Sequence, residues 1–119
     1  MGKKSVRNYR LYIKDINDAI KKIFTYSEGI SFEKFAKDEK TIDAVVRNFE
    51  IIGEATRQLP QEIKNKYREV EWKALISFRN VIIHEYFGIN LKIIWDIIKN
   101  ELPSLEQEIK KILSLLKNK

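Results

Sequence analysis

Residues 78–88 hold the side chains of this chain that are best suited to chemistry. They include His84, the one histidine of the sequence, together with Arg79, Asn80 and Tyr86. An imidazole exchanges protons near neutral pH, and a guanidinium stabilises developing negative charge on phosphate oxygens. These groups fit metal-free cleavage of RNA, in which a base removes a 2′-hydroxyl proton and an acid protonates the leaving 5′-oxygen.

That chemistry needs two proton-transfer groups, and the chain offers a single imidazole. A symmetric homodimer would supply the second, so we expect a dimer if the protein is a nuclease. The same residues also have a purely structural interpretation. A histidine near the C-terminal end of a helix is favoured by the helix dipole, and a tyrosine one turn from an isoleucine commonly belongs to a core. The residue types alone leave both interpretations open.

Composition excludes several other chemistries. The sequence has no cysteine, which rules out disulfides, thiolate metal sites and cysteine nucleophiles. One histidine with scattered acids is not a zinc ligand set, and no glycine-rich phosphate loop is present. Ser77 and Ser104 lack the strand-turn-helix context of a nucleophilic serine. We therefore expect neither a metal nor a cofactor.

The charge of the chain is uneven. The net charge is +6, with seven basic and three acidic residues in 1–30, and four lysines and no acid in 110–119. Such ends attract the phosphates of RNA or DNA, but lysine-rich helix faces are also common as solvated surface. No apolar run approaches the roughly 20 residues that span a bilayer, and the N-terminus does not resemble a signal peptide. We expect a cytoplasmic protein with no membrane contact, which the absence of cysteine also fits.

Helical periodicity extends along almost the whole chain, and four glycines and two prolines are few for a β-rich protein. The pattern predicts long helices over 6–27, 39–59 and 72–87, a helix capped by Asn90 and a final helix opened by Pro103. Short helices should follow Ser31 as a cap and Pro60 at a first-turn position. We predict one all-α domain over residues 1–119, an antiparallel helical bundle of four main helices plus short helices.

These helices constrain the candidate site. At about 100° per residue, Arg79 falls on the apolar stripe of its helix, so its guanidinium needs a carboxylate partner, a cleft, or both. Glu50 and Glu54, on the polar face of the 39–59 helix, are the candidate partners. His84 lies about 140° from Arg79 on an ideal helix. Either the arginine side chain wraps around, or the helix end distorts, or the site forms between two subunits.

One apolar residue also falls on that polar face. Ile51 sits near the charges of the 39–59 helix, away from the apolar stripe of the same helix. It indicates a second buried surface, such as an interface.

The motif resembles the signature of HEPN proteins of the HepT-like toxin family. It consists of Arg79-Asn80, then His84 after three residues, then Tyr86 after one more. Further matching parts occur in the expected order along nearly the whole chain: Asp15-Ile16, Ala19-Ile20, residues 47–55, Glu71-Trp72, Ile94-Trp95 and Leu102-Pro103.

The resemblance implies a homodimeric HEPN-like bundle that cuts RNA as the toxin of a type VII-like toxin–antitoxin pair. It implies that Arg79 and His84 are catalytic, with Asn80 as a polar support. The antitoxin would be a cognate minimal nucleotidyltransferase that attaches AMP to Tyr86. Such adducts add bulk and negative charge, which would repel RNA phosphate.

Two other functions remain open from the sequence. The chain could be a non-catalytic helical partner or substrate-binding subunit of a nucleotidyltransferase, which predicts a stable complex and no cleavage. It could also bind RNA through its basic ends alone. Cleavage of RNA by the purified protein separates the first interpretation from both alternatives.

Overall fold

The computed structural model describes residues 6–78 and 90–117, and side chains between Tyr9 and Leu116 within those ranges. Every regular element in these ranges is helical, which confirms the predicted all-α class. The elements are α1 (Val6–Ser27), α2 (Phe32–Lys37), α3 (Glu39–Gln58), α4 (Gln61–Lys66), α5 (residues 72–78), α6 (Leu91–Asp96), a π-helical turn (Ile97–Glu101) and α7 (Leu102–Lys117).

Local chemistry sets the first helix boundaries as predicted. Gly29 follows α1 with a φ of 76°, a left-handed conformation that glycine adopts without strain. The Ser31 hydroxyl accepts a hydrogen bond from the Lys34 amide at 3.1 Å and caps α2. Asp38 caps α3, since its carboxylate accepts from the Thr41 amide at 3.2 Å and from the Thr41 hydroxyl at 2.7 Å. Each cap satisfies an amide that has no partner inside its helix.

Two other predicted helix starts differ from the structure. Asn90 precedes α6 as expected, but its side chain makes no capping hydrogen bond. Its φ of −100° and ψ of 70° are close to the −107° and 92° of Asp38, which does cap its helix, so the backbone alone does not explain the missing bond. Pro60 is the residue before α4, one position earlier than the predicted first turn. Helix ends commonly shift by this amount.

Pro103 lies in the first turn of the final helix, α7, as predicted, but α7 is not separate from the helix before it. The chain stays helical from α6 through the π-helical turn into α7. The Leu102 amide donates to the Ile97 carbonyl, five residues back, immediately before the proline. A proline lacks the amide hydrogen and crowds the preceding turn, and a widened turn accommodates both effects without ending the helix.

The core forms where α1 packs against α3 and α7. The predicted apolar stripe of α1 is fully buried at Ile13, Ile16, Ile20 and Ile23. Tyr12, from the N-terminal half of α1, lies beside the C-terminal half of α3, so these two helices run antiparallel.

Both ends of the described part of α5 are fixed to neighbouring elements. At its start, the Trp72 indole N–H donates to the carbonyls of Lys64 at 3.1 Å and Tyr67 at 2.9 Å. At residue 78, the buried Phe78 ring packs edge-on against Phe49 of α3, with ring centroids 5.3 Å apart. The predicted start near Trp72 is confirmed, and the predicted end of this helix lies outside the described residues.

Candidate functional site

The predicted site residues divide between two parts of the chain. Arg79, Asn80, His84 and Tyr86 lie outside the described residues, so the predictions about them stay predictions. The structure does place the two acidic residues that the sequence assigns to support the site, which lie on α3.

Glu50 and Glu54 line a groove between α1 and α3 with a volume of about 310 Å³. We call it the α1–α3 groove; its wall comprises Tyr12, Asp15, Arg47, Glu50, Ile51, Glu54, Ala55 and Gln58. Three carboxylates from two helices therefore face one space, against the single cation Arg47. Such a lining favours the approach of a positively charged group.

Glu50 can pair with a second cation in addition to Arg47. The Arg47 Nη1 atom lies 4.0 Å from Glu50 Oε1, and the arginine side chain is 73% exposed. A long ion pair in solvent contributes little. Glu54 lies four residues further along, which brings its side chain to the same face of α3. A guanidinium between the two carboxylates would relieve their mutual repulsion.

Ile51 lines the groove between these two acids and is half-buried, packed against the core of its own chain. This contact accounts for part of its burial. An interface at the same surface stays a prediction.

The aromatic contact between α3 and α5 connects the groove with the motif. Phe49 is followed in the chain by Glu50, and Phe78 is followed by Arg79. Because the two rings contact each other, the chain reaches the motif from a point that is fixed against α3. Phe78 is only 2% exposed, so this point belongs to the core.

Metal ligands and membrane spans are both absent from the described parts of the chain. Within 6–78 and 90–117, no group of three or more acidic, histidine or cysteine side chains is placed to hold a metal ion. No helix described there is long and apolar enough to cross a bilayer.

The sequence reasoning missed a second cleft, where α4 meets α5. It has a volume of about 460 Å³, and we call it the α4–α5 cleft; its wall comprises Gln61, Lys64, Asn65, Arg68, Val70, Glu71, Trp72, Lys73 and Ile76. In the sequence, the excess of basic residues lies at the two ends of the chain, and the basic and acidic residues of the middle nearly balance. The cleft could have been predicted from the close spacing of Lys64, Arg68 and Lys73, which lie on either side of the turn between two predicted helices.

The described fold is an all-α bundle in which Phe49 of α3 contacts Phe78, the residue before the Arg-Asn/His/Tyr motif. The family model described as Ribonuclease HepT-like matches residues 16–112. The chain belongs to this HepT-like ribonuclease family, and the resemblance drawn from the sequence is confirmed.

Several curated proteins are similar over nearly their full length. "Putative RNase MJ0127" of Methanocaldococcus jannaschii is 45% identical over 95% of this chain and 91% of its own. "Putative RNase TTE0752" of Caldanaerobacter subterraneus subsp. tengcongensis is 44% identical over 87% and 93%. "Probable ribonuclease HepT" of Thermococcus cleftensis is 37% identical over 89% and 96%. No solved structure matches the chain.

Proposed function

We propose that this protein is a metal-independent endoribonuclease in which Arg79 and His84 are catalytic and Asn80 supports them. The observation that carries the proposal is the family match over residues 16–112, a span that contains all three positions. The ribonuclease names of the relatives agree with it.

In this mechanism the 2′-oxygen of a ribose attacks the adjacent phosphorus. The bond from the 2′-oxygen to phosphorus forms and the bond from phosphorus to the 5′-oxygen breaks, which leaves a 2′,3′-cyclic phosphate and a 5′-hydroxyl. One imidazole removes the 2′-hydroxyl proton, a second protonates the 5′-oxygen, and the guanidinium of Arg79 stabilises the phosphorane. The single-domain chain acts as a homodimer, since two copies bring two His84 side chains.

The α1–α3 groove has a supporting role in this proposal. Glu50 and Glu54 orient the guanidinium of Arg79, whose neighbour in the chain is the anchored Phe78. A carboxylate that pairs with an arginine fixes the plane of the guanidinium and offsets the cost of taking its charge out of water.

The proposal includes regulation by a cognate minimal nucleotidyltransferase, with this chain as the toxin of a type VII-like toxin–antitoxin pair. The hydroxyl oxygen of Tyr86 attacks the α-phosphate of ATP, pyrophosphate leaves, and AMP remains on the tyrosine. The added phosphate places negative charge two residues from His84 and repels the RNA backbone.

Purified wild type and His84→Ala, incubated with total RNA in EDTA, test the catalytic proposal. Wild type should cut and His84→Ala should not, and Tyr86→Phe is the matched control that should cut like wild type. Equal cleavage by wild type and His84→Ala would place the activity elsewhere. Intact RNA with folded wild-type protein would favour the alternative, a non-catalytic helical partner or substrate-binding subunit of a nucleotidyltransferase.

A further inference from the structure

We propose that the α4–α5 cleft binds phosphate groups of single-stranded RNA beside the cleavage motif and so positions the strand. This inference rests on the proposed ribonuclease function and adds a location for substrate binding. It is carried by the charge, the burial and the hydrogen bonding of the cleft.

The cleft carries three cations and one carboxylate. Lys64, Arg68 and Lys73 line it together with Glu71. In the described part of the chain, none of the three cations has a carboxylate within 4.0 Å. Their charges are therefore available to a ligand.

Some other described lysines are paired with acids, whereas several, such as Lys21, Lys22 and Lys37, are not. Lys14 lies 2.8 Å from Asp18, and Lys92 lies 3.6 Å from Asp96, in each case one helical turn away. Lys110 pairs in the same way with Glu106 at 3.6 Å. What distinguishes the cleft cations from the unpaired lysines elsewhere is that three of them line one concave surface.

Lys64 shows most clearly that a cleft cation lacks an acid partner. Its side chain is partly buried, and this burial lowers the pKa of Lys64 because the ammonium loses water without gaining a carboxylate. A phosphate oxygen at this position would compensate for the lost water, as hydrogen bonds to anions are among the stronger ones in proteins.

Trp72 fixes the backbone from which the cleft cations project. The last carbonyls of a helix have no partner inside it and present negative partial charge. The indole N–H of Trp72 donates to two such carbonyls at the end of α4, those of Lys64 and Tyr67. The same bonds hold α4 against the start of α5, so the cations are carried by fixed backbone.

The surface of the cleft favours a nucleic acid over a protein partner. Protein interfaces depend on buried apolar anchors, whereas contacts to nucleic-acid strands are largely to phosphates. Among the described residues, the large apolar side chains that are exposed are Leu11, Tyr26 and Leu115, and none of them lines the cleft. Ile76, at the cleft wall, precedes Arg79 by three positions, so the cleft adjoins the motif along the chain.

Binding of a fluorescent 2′-O-methyl RNA strand tests the inference, because this strand lacks the nucleophile and cannot be cut by the proposed mechanism. The cleft variant is Lys64→Gln/Arg68→Gln/Lys73→Gln. The control is Lys14→Gln/Lys92→Gln/Lys110→Gln, which loses the same net charge at paired positions. Anisotropy titrations over a range of salt concentrations should show roughly 10-fold weaker binding for the cleft variant and a salt slope smaller by about 2. The control should keep the wild-type slope.

A second variant guards against misfolding, since Lys64 is partly buried. Arg68→Gln/Lys73→Gln changes two exposed residues and should lower the slope by about 1.4. Equal loss in the cleft and control variants, or no binding by wild type, would overturn the inference. Cleavage of ordinary RNA, measured in parallel, separates the two proposals. If binding depends on the cleft cations but wild type does not cut RNA, only the ribonuclease proposal is contradicted. If wild type cuts RNA but binding does not depend on the cleft cations, only the cleft proposal is contradicted.

Discussion

Two described residues are linked to the proposed chemistry: Glu50 and Glu54, which lie one helical turn apart on α3. Both line the α1–α3 groove, and the Phe49–Phe78 contact fixes the chain against α3 before the motif begins. If they orient the guanidinium of Arg79, their charge affects the rate of cleavage without contacting RNA.

Glu54→Gln should therefore lower kcat for RNA cleavage about 10- to 100-fold, because a misplaced catalytic group loses that order of rate. KM should change little, and Glu54→Asp should recover part of the loss. The control is Glu62→Gln, an exposed acid in the first turn of α4. Steady-state kinetics with a labelled oligoribonucleotide measure both constants, and an unchanged kcat in Glu54→Gln would remove this residue from the site.

Asp38 gives a second prediction, which concerns stability. The hydrogen bonds from the hydroxyl and then the amide of Thr41 lower the pKa of Asp38 below its ordinary value of 3.8. Since the folded-state pKa is the lower one, the charged cap stabilises the fold above pH 3.8, and this contribution disappears as the pH falls through the folded-state value.

Asp38→Asn, which keeps a capping oxygen but has no charge, should have a lower Tm than wild type at pH 7. The difference should be smaller at pH 3 than at pH 7, because the contribution of the charged cap begins to be lost once the pH falls below 3.8. Thermal melts followed by circular dichroism at both pH values measure the difference, with Glu39→Gln as the control. A difference of the same size at both pH values would contradict this explanation.

At the scale of elements, α5 depends on the edge-on contact between Phe78 and Phe49. Phe78→Ala should reduce the free energy of unfolding by about 3–5 kcal/mol, the usual cost of removing a buried aromatic ring. Phe78→Leu, which keeps most of the apolar volume, should cost clearly less. Urea unfolding measures both variants. A loss below about 1 kcal/mol for Phe78→Ala would mean that the contact does not anchor this helix.

The element boundaries that the sequence predicted correctly depend on neighbours in the chain. Ser31 acts through its own hydroxyl on the next turn, so its residue type was sufficient. The failures depend on wider geometry. Asn90 has a capping residue type but makes no capping hydrogen bond, and the π-helical turn before Pro103 is not revealed by the proline alone.

The α4–α5 cleft was missed for a related reason. Its cations come from α4, from the turn after it and from α5, and they form one surface only because Trp72 holds these segments together. Charge counted along the sequence does not contain that information. The acidic face of α3, by contrast, lies on one helix, and the helical period placed Glu50 and Glu54 correctly.

At the scale of the whole molecule, the single histidine makes the oligomeric state part of the mechanism. We expect light scattering on the eluting protein to give twice the monomer mass of 14.2 kDa, because two proton-transfer groups require two copies. The specific activity should also fall on dilution below the dimer dissociation constant. Full activity from a monomer of this mass would contradict the two-histidine mechanism.

The family was predictable from the sequence because matching residues occur in order along nearly the whole chain, and the match over residues 16–112 confirms it. The roles proposed for Arg79, His84 and Tyr86 rest on that resemblance and on the chemistry of their side chains. Their relative geometry could not be predicted, since an ideal helix separates Arg79 and His84 by about 140° and three arrangements remain possible.

The chemical ends of the cleavage products show whether RNA is cut by metal-free attack of the 2′-hydroxyl. A defined oligoribonucleotide, cut in EDTA by wild type with His84→Ala in parallel, would be analysed by mass spectrometry. The proposed mechanism predicts a 2′,3′-cyclic phosphate and a 5′-hydroxyl from wild type, and intact RNA from His84→Ala. Products with a 3′-hydroxyl and a 5′-phosphate, or cleavage that stops when EDTA is added, would contradict metal-free attack by the 2′-hydroxyl.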